Sequence, residues 1–141
     1  MSDALAVHLC PVRVYYEDTD AEGIVYYANY LKFAERGRTE MLRDAGIGHR
    51  ALLAEHGIAF AVRNLSADYL KPAKLDDALT VYSRLLTLRG ASMSAEQIVR
   101  RDDEDLVRMT VRLACIDRQG RPARLPSTLR QTLETYRHEV H

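Results

Sequence analysis

The feature that most constrains this sequence is one long helical pattern followed mainly by strand patterns. Residues 30–45 carry apolar side chains at the three- and four-residue spacing of a single helix face. The predicted buried positions are Tyr30, Ala34, Gly37 or Arg38, Met41, Leu42 and Ala45. From Gly57 onward the apolar period shortens to two, the period of a half-buried β-strand. One long helix followed by several strands predicts an α+β fold in which the helix covers one face of a sheet.

Five segments are predicted to form strands, and short polar turns connect the last four of them. The segments are residues 10–17, 58–69, 79–88, 92–101 and 107–116. The turns KPAKLDD, LRGAS and DDED lie between them, and three long strands joined by short polar turns predict an antiparallel meander. Short helices are expected at residues 49–56 and at about 127–137, where Ser127 follows Pro126 as a candidate cap.

Gly37 lies inside the predicted long helix, where a glycine costs about 1 kcal/mol relative to alanine. Two interpretations are open. Either the helix approaches the sheet so closely at Gly37 that a side chain has no room, or the position simply tolerates glycine. Gly46 and Gly48 follow the last periodic position and predict the end of the helix.

Chain length, hydrophobic content and net charge restrict the classes of protein to which this sequence can belong. The 141 residues are predicted to form one domain, 1–141, whose 47% hydrophobic content is enough to bury a core. Twenty basic residues balance twenty acidic ones, which argues against a nucleic-acid-binding or membrane-surface protein. No run approaches the ~18 apolar residues of a transmembrane segment.

The N-terminal segment and the cysteines indicate a cytoplasmic protein. The N-terminal MSDALAVHLCP lacks the basic and long apolar parts of a signal peptide. Two cysteines, Cys10 and Cys115, are too few for a disulfide framework and indicate free thiols in a reducing compartment. The histidines, at positions 8, 49, 56, 138 and 141, are scattered, so no zinc site is predicted.

The stretch EDTDAEGIVYYANY, residues 17–30, is the candidate site because it places two carboxylates just before the long helix. Asp18, Asp20 and the turn residue Gly23 precede Asn29, which is predicted to cap the helix. The first N–H groups of a helix lack partners within it and can stabilise an oxygen that becomes negative during reaction. A carboxylate beside them can attack a carbonyl or activate a water, which suggests acyl transfer. By spacing alone, a capping turn without catalytic function is the alternative.

The run VRVYYEDTDAEGIVYYANYLKFAERGRTEML resembles the signature of hotdog-fold acyl-CoA thioesterases. It is most similar to the YbgC-like branch of the 4-hydroxybenzoyl-CoA thioesterase family. The resemblance continues through FAVRNLSADYLKPAKLDD and LRGAS, and covers about residues 11–126. It implies a hotdog fold, in which a five-stranded antiparallel sheet wraps a long central helix, followed by the short C-terminal helix. The order of elements predicted from periodicity agrees with that fold.

The resemblance implies hydrolysis of an acyl-CoA to free acid and CoA, with Asp20 as the catalytic carboxylate. It also implies that the backbone N–H at Tyr27 polarises the thioester carbonyl. The substrate-binding residues it implies nearby are Gly23, Ile24, Val25, Tyr26 and Tyr30. YbgC-like relatives carry VYH where this chain has VYY, so Tyr27 replaces a histidine. A backbone role is unaffected by that difference, because every residue except proline supplies the N–H.

Three cations near predicted strand ends, Lys71, Arg89 and Arg101, are candidates for contacts with the phosphates of CoA. Coenzyme A is part of the substrate, and no cofactor or metal is expected because a thioester is already activated. The sequence leaves open whether Asp20 acts as a nucleophile or as a general base.

Two alternative functions belong to other classes. A hotdog hydratase or dehydratase would be expected to pair a histidine with a carboxylate, and residues 17–30 contain no histidine. The second alternative is an acyl-thioester-binding or scaffold protein with little turnover, because YbgC-like proteins are associated with cell-envelope or phospholipid-synthesis machinery.

The chain is also expected to assemble with itself. One helix covers a single sheet face, while apolar residues such as Tyr82, Leu86 and Ile98 occupy outward positions. A homodimer or homotetramer would bury that surplus. The resemblance adds that two hotdog sheets join edge to edge, which would place Asp20 opposite residues 61–67 of the partner.

Overall fold

The computed structural model describes residues 6–137, so the start of the N-terminal segment and the histidines at 138 and 141 lie outside the described residues. The strands are β1 (His8–Arg13), β2 (Ala59–Tyr69), β3 (Ala78–Leu88), β4 (Ser92–Arg101) and β5 (Glu104–Ile116). The helices are α1 (Asn29–Asp44), α2 (His49–His56) and α3 (Ser127–Leu133), with a further 3₁₀ turn at Glu134–Tyr136. No helix in this part of the chain is long and apolar enough to cross a membrane.

The five strands form one antiparallel sheet in the order β1-β3-β4-β5-β2. β3, β4 and β5 are consecutive neighbours, which confirms the predicted meander. β2 lies beside β5 and β1 lies beside β3, so these two strands form the edges of the sheet in a single chain. Together with the long helix α1, this sheet confirms the predicted α+β fold and the hotdog architecture that the resemblance implied.

α1 packs against the inner face of the sheet, over β1, β3 and β4. The predicted apolar face of this helix is buried, but the prediction omitted Phe33, whose side chain is completely buried. Phe33 lies three residues after Tyr30 and four before Gly37, so it follows the same helical spacing as the predicted positions. Burying such a side chain stabilises the fold by about 1.5–3 kcal/mol.

Gly37 marks the closest approach of α1 to the sheet. A Cβ atom at this position would lie 2.7 Å from Val81 Cγ1 and 3.2 Å from Gln97 Nε2. The glycine is therefore required by close packing, and simple tolerance does not explain it. Gln97 is itself buried and donates hydrogen bonds to the Ala34 carbonyl and to Ser83 Oγ, so the neighbouring groups have little freedom to move.

We expect Gly37→Ala to lower the free energy of unfolding by up to about 2 kcal/mol. Overpacking costs about 1–3 kcal/mol, and the gain of about 1 kcal/mol in helix propensity offsets part of it. Urea denaturation measures the difference. Gly48→Ala provides a comparison, because a Cβ there has only the Arg43 side chain within reach, at 3.8 Å, so any loss reports the start of α2 and not overpacking. A Gly37→Ala protein more stable than the wild type would contradict the close packing.

Several predicted boundaries are wrong, and each error has a local cause. β1 ends at Arg13 instead of continuing to residue 17, because residues Tyr16–Asp18 form a 3₁₀ turn. Tyr16 is consequently 82% exposed, although the alternation of residues 10–17 placed it on the buried face. β5 begins at Glu104, since the DDED turn needs only its first two residues. Ser127 is the first residue of α3 and does not cap it through its side chain.

Candidate active site

Asp20 lies in a tight loop whose two ends are joined by an antiparallel bridge between Thr19 and Val25. The Asp20 N–H donates to the Ile24 carbonyl (2.9 Å), and the Gly23 N–H donates to the Asp20 carbonyl (3.1 Å). Gly23 has a φ of 80°, the left-handed conformation that favours glycine, and this allows the chain to reverse. Gly23 therefore shapes the loop.

The Asp20 carboxylate is exposed and only partly engaged. Its Oδ1 accepts a hydrogen bond from the Glu22 N–H (2.8 Å), which fixes the side chain against its own loop. Oδ2 has no hydrogen-bond partner within residues 6–137. One carboxylate oxygen is therefore positioned while the other is available to attack a carbonyl or to accept a proton from water.

Backbone hydrogen bonds join the Asp20 loop to the turn between β2 and β3. The Val25 N–H donates to the Ala73 carbonyl (2.9 Å), and the Leu75 N–H donates to the Gly23 carbonyl (3.2 Å). Ile24 also forms an antiparallel bridge with Lys74. These backbone bonds place the Asp20 loop, the start of α1 and the KPAKLDD turn at one end of the sheet.

Asp18 connects the same loop to the first turn of α1. Its side chain is buried; Oδ2 accepts from the Tyr15 N–H (2.8 Å) and Oδ1 accepts from Asn29 Nδ2 (3.0 Å). Asn29 is thus the first residue of the helix and a donor to Asp18, so the prediction that Asn29 caps the helix is wrong. The pair fixes the position of the helix N-terminus relative to the loop.

Exchanging these two residues tests their pairing. We expect Asn29→Asp to destabilise the fold by about 1–3 kcal/mol, because Asp18 Oδ1 would lose its donor and face a second carboxylate. In the double variant Asp18→Asn/Asn29→Asp, the new amide oxygen accepts from Tyr15 N–H and its NH₂ donates to the new carboxylate. In thermal unfolding, Tm should therefore fall in the single variant and return toward the wild-type value in the double variant. A double variant whose Tm is as low as that of the single variant, or lower, would contradict the pairing.

The helix N-terminus offers two free N–H groups. The residue before α1, Ala28, makes no capping hydrogen bond with its side chain. The N–H groups of Val25 and Tyr26 are already bonded to the carbonyls of Ala73 and Asp18. Those of Tyr27 and Ala28 have no partner within the described residues. The Tyr27 N–H that the resemblance implied is therefore available as a donor, with that of Ala28 beside it.

A groove of about 240 Å³ lies beside Tyr27. Its lining residues are Ile24, Val25, Tyr27, Tyr30, Tyr69, Leu70, Lys71 and Pro72. Five of the predicted site residues, Ile24, Val25, Tyr27, Tyr30 and Lys71, are therefore together, whereas Asp20, Gly23 and Tyr26 do not line the groove. Tyr69, Leu70 and Pro72 were missed, because the end of β2 comes close to α1 only through the tertiary fold.

The tyrosines of the groove form a packed set of rings. The Tyr69 ring meets Tyr27 edge-on with centroids 6.2 Å apart, and Tyr69 Oη donates to the Tyr27 carbonyl (3.3 Å). Tyr26 stacks at a tilt on Tyr27, 4.8 Å between centroids. Tyr30 is almost fully buried, and its hydroxyl accepts from the Ala73 N–H (2.9 Å). Burial raises the pKa of Tyr30, so its phenol stays neutral and forms part of the wall.

Two of the predicted CoA-binding cations are already paired. Lys71 Nζ contacts Glu104 (2.6 Å), and Arg101 contacts both Asp77 (2.8 Å) and Glu104 (2.7 Å). Hydrogen bonds from Lys71 and then from Arg101 lower the pKa of Glu104, so that carboxylate is ionised at neutral pH. Both cations lie at the end of the sheet that carries the Asp20 loop. A phosphate that binds them would have to compete with the carboxylates of Asp77 and Glu104.

Arg89 lies at the other end of the sheet. It follows β3, whose start is bonded to the segment after β1 through the Asp77 carbonyl and the Val14 N–H (2.9 Å). The eleven residues of β3 extend over about 33 Å at the usual rise of a strand. Within one chain, Arg89 is therefore far from the Asp20 loop.

Within residues 6–137 no cluster of three or more histidine, cysteine or acidic side chains is arranged to hold a metal ion. Cys10 and Cys115 are both buried and unpaired. Burial raises the pKa of Cys115 to about 11, so that thiol is not a nucleophile at neutral pH. Among the described side chains at this end of the sheet, the free oxygen of Asp20 is the candidate reacting group.

Comparison with known proteins identifies the family. Residues 14–133 match the model of the thioesterase-like superfamily. The chain belongs to this superfamily. The acyl-CoA thioesterase YbgC of Haemophilus influenzae is 49% identical over 107 residues, covering 76% of this chain and 79% of the relative. The acyl-CoA thioester hydrolase YbgC of Escherichia coli is 43% identical over 121 residues, covering 84% of this chain and 90% of the relative.

A solved structure supports the same assignment. The crystal structure of a probable thioesterase from Bartonella henselae superposes with a TM-score of 0.83 at 40% sequence identity. The alignment covers 86% of this chain and all of that one. The thioesterase-like superfamily and the YbgC-like resemblance inferred from residues 11–126 are thus confirmed.

Proposed function

We propose that this chain hydrolyses acyl-CoA thioesters to a free carboxylic acid and coenzyme A. The observation that carries the proposal is that a free carboxylate oxygen on Asp20 and a free N–H on Tyr27 lie at the same end of the sheet. The relatives named acyl-CoA thioesterases support the substrate class.

In the proposed reaction, the thioester carbonyl oxygen accepts hydrogen bonds from the Tyr27 and Ala28 N–H groups. These donors stabilise the negative charge that develops when the carbonyl carbon is attacked. Asp20 either attacks the carbon itself or removes a proton from a water that attacks. The carbon–sulfur bond then breaks and CoA leaves as the thiolate. In the first route water hydrolyses the resulting mixed anhydride, which releases the acid and restores Asp20.

We propose that the chain forms a homodimer or homotetramer in which the dimer is the smallest active unit. β2 is an exposed edge strand of eleven residues, and its Val62 and Tyr69 are about half exposed. Such an edge pairs readily with another strand. Antiparallel pairing of two β2 strands around a two-fold axis would extend the sheet and place both α1 helices on one side.

This dimer would also bring Arg89 of one chain close to the active site of the other. Because the paired strands of the two sheets run in opposite directions, the end of the partner's sheet that carries Arg89 would lie next to the end of the first sheet that carries the Asp20 loop. We therefore propose that CoA phosphates contact the partner subunit's Arg89, with Lys71 and Arg101 of the first chain nearby. The free thiols of Cys10 and Cys115 fit a cytoplasmic location, which is part of the same proposal.

A thiol-release assay over a panel of acyl-CoAs tests the function. We expect enzyme-dependent release of one CoA thiol per acid formed, at a rate that a chelator does not change. No turnover of any acyl-CoA by folded protein would reject hydrolysis and favour the alternative binding role.

Tyr27→Phe tests whether the backbone or the hydroxyl of Tyr27 acts. We expect kcat/KM to change by less than about tenfold, because the N–H is retained and the developing charge is stabilised by the backbone. Tyr27→His should be tolerated to the same degree. Steady-state kinetics of both variants provide the measurement. A loss with Phe as large as that of Asp20→Asn would assign the chemistry to the hydroxyl.

A further inference from the structure

The hydroxyl of Tyr69 contacts the peptide group that joins Tyr27 to Ala28. Tyr69 Oη donates to the Tyr27 carbonyl oxygen at 3.3 Å. That carbonyl and the Ala28 N–H belong to one planar group, so a contact that orients the carbonyl also orients the N–H. The peptide bond is trans, and Ala28 has helical dihedral angles (φ −69°, ψ −20°), so its N–H points out of the N-terminal end of α1. Tyr69 therefore bonds to the opposite side of a peptide group whose N–H is one of the two proposed donors to the thioester oxygen.

The helix itself holds this peptide group weakly. The Tyr27 carbonyl also accepts from the Tyr30 N–H, at 3.4 Å, a length at which a hydrogen bond contributes little. The preceding peptide group, which carries the Tyr27 N–H, is held more firmly, because the Tyr26 carbonyl accepts from the Asn29 N–H at 2.8 Å. The Ala28 N–H is thus the proposed donor whose orientation depends on a contact from outside the helix.

Tyr69 can orient that group because the sheet and a buried ring fix its own position. It is the last residue of β2 and pairs with Val107 of β5. Its ring packs at a tilt on the ring of Tyr30, with centroids 5.8 Å apart, and Tyr30 is almost fully buried. The hydrogen bond from Tyr69 consequently connects the start of α1 to the end of a strand.

We propose that Tyr69 is a positioning residue, whose hydroxyl orients the peptide group between Tyr27 and Ala28 for the reaction. The proposal rests on the proposed thioesterase function and deepens it. As the thioester oxygen becomes negative, the Ala28 N–H is polarised and the Tyr27 carbonyl becomes a better acceptor, so the bond from Tyr69 strengthens as well. Long hydrogen bonds in a free enzyme commonly shorten in the transition state. A contact that strengthens there raises kcat and leaves substrate binding nearly unchanged.

Tyr69→Phe removes the hydroxyl and keeps the ring that packs on Tyr30. We expect kcat for the best acyl-CoA substrate to fall about three- to tenfold, the effect of one neutral hydrogen bond, while KM stays within about twofold. Tyr16→Phe is the matched control, since it removes a phenol hydroxyl from a ring that is 82% exposed and does not line the groove. Its kcat and KM should both stay within about twofold of the wild-type values.

An analogue without a carbonyl separates positioning from substrate binding. An S-alkyl-CoA thioether retains the CoA and the alkyl chain but has no oxygen that could accept from the Ala28 N–H. Isothermal titration calorimetry should therefore give the same Kd, within about twofold, for the wild type and Tyr69→Phe. A Kd that weakens as much as kcat/KM falls would mean that Tyr69 binds the substrate and would overturn the positioning role.

Replacing Tyr69 with a fluorotyrosine provides a second readout. Fluorine makes the phenol a stronger hydrogen-bond donor and changes the size of the ring little. At a pH where this phenol is protonated, kcat should equal or exceed the wild-type value. A loss with fluorotyrosine as large as that with Phe would indicate altered packing and would contradict the proposal.

The outcomes separate this inference from the proposed function. A folded Tyr69→Phe protein with unchanged kcat would overturn the role of Tyr69 and leave the thioesterase function intact. A wild-type protein that hydrolyses no acyl-CoA would reject both.

Discussion

Asp20→Asn is expected to lower kcat by about 10²–10⁴ and to leave the fold unchanged. Asparagine keeps the shape of the side chain and an oxygen that can accept from the Glu22 N–H, so the loop should retain its conformation. It can neither attack as a carboxylate nor accept a proton from water. Stopped-flow or steady-state thiol release measures the loss, and circular dichroism verifies the fold.

Glu22→Gln is the matched control for this substitution. Glu22 is exposed and lies in the same loop, and only its backbone N–H takes part in the contact with Asp20. We expect its kcat to stay within about threefold of the wild type, as for a surface carboxylate outside the reaction. If Asp20→Asn retained more than a tenth of the wild-type kcat while folded, Asp20 would not be the catalytic carboxylate.

Dilution is expected to abolish most of the activity, because each site is proposed to need both chains. The edge of β2 is unpaired in one chain and carries Val62, Tyr69 and the following Leu70 in exposed positions. A long exposed edge with apolar side chains is unfavourable for a monomer and is usually covered. The active site should therefore assemble only when two β2 strands pair.

Sedimentation velocity and specific activity measured over the same concentration range provide the test. Specific activity should fall in parallel with the dimer fraction, by about tenfold or more once monomer predominates, and should return when the protein is concentrated again. The loss follows from mass action on a shared site. A monomer that is fully active at every concentration would exclude both the dimer and the shared site.

The fold could be predicted largely because its periodic signals are strong. α1 and the last four strands follow from spacing alone, since each buries one face against the same core. The prediction failed where a local conformation interrupts the pattern, as at Tyr16, where a 3₁₀ turn follows β1. It also missed Phe33, although that residue lies three positions after Tyr30 and follows the same repeat.

The site could be predicted only in part. The motif around Asp20 and Tyr27 indicated the chemistry, and Asp20 and the free Tyr27 N–H lie at the same end of the sheet. Spacing could not show that Asn29 bonds Asp18 instead of capping the helix. Nor could it show that Tyr69 joins the groove, or that Arg101 is paired with carboxylates, since these contacts connect residues distant in sequence.

A crystal structure of the Asp20→Asn protein with a bound acyl-CoA tests the central claim most directly. The proposal predicts the thioester oxygen within about 3.2 Å of the Tyr27 or Ala28 nitrogen and the thioester carbon about 3–3.5 Å from the residue 20 side chain. The acyl group should lie between the two chains of the proposed dimer. A thioester bound away from residue 20 and the start of α1 would contradict the account.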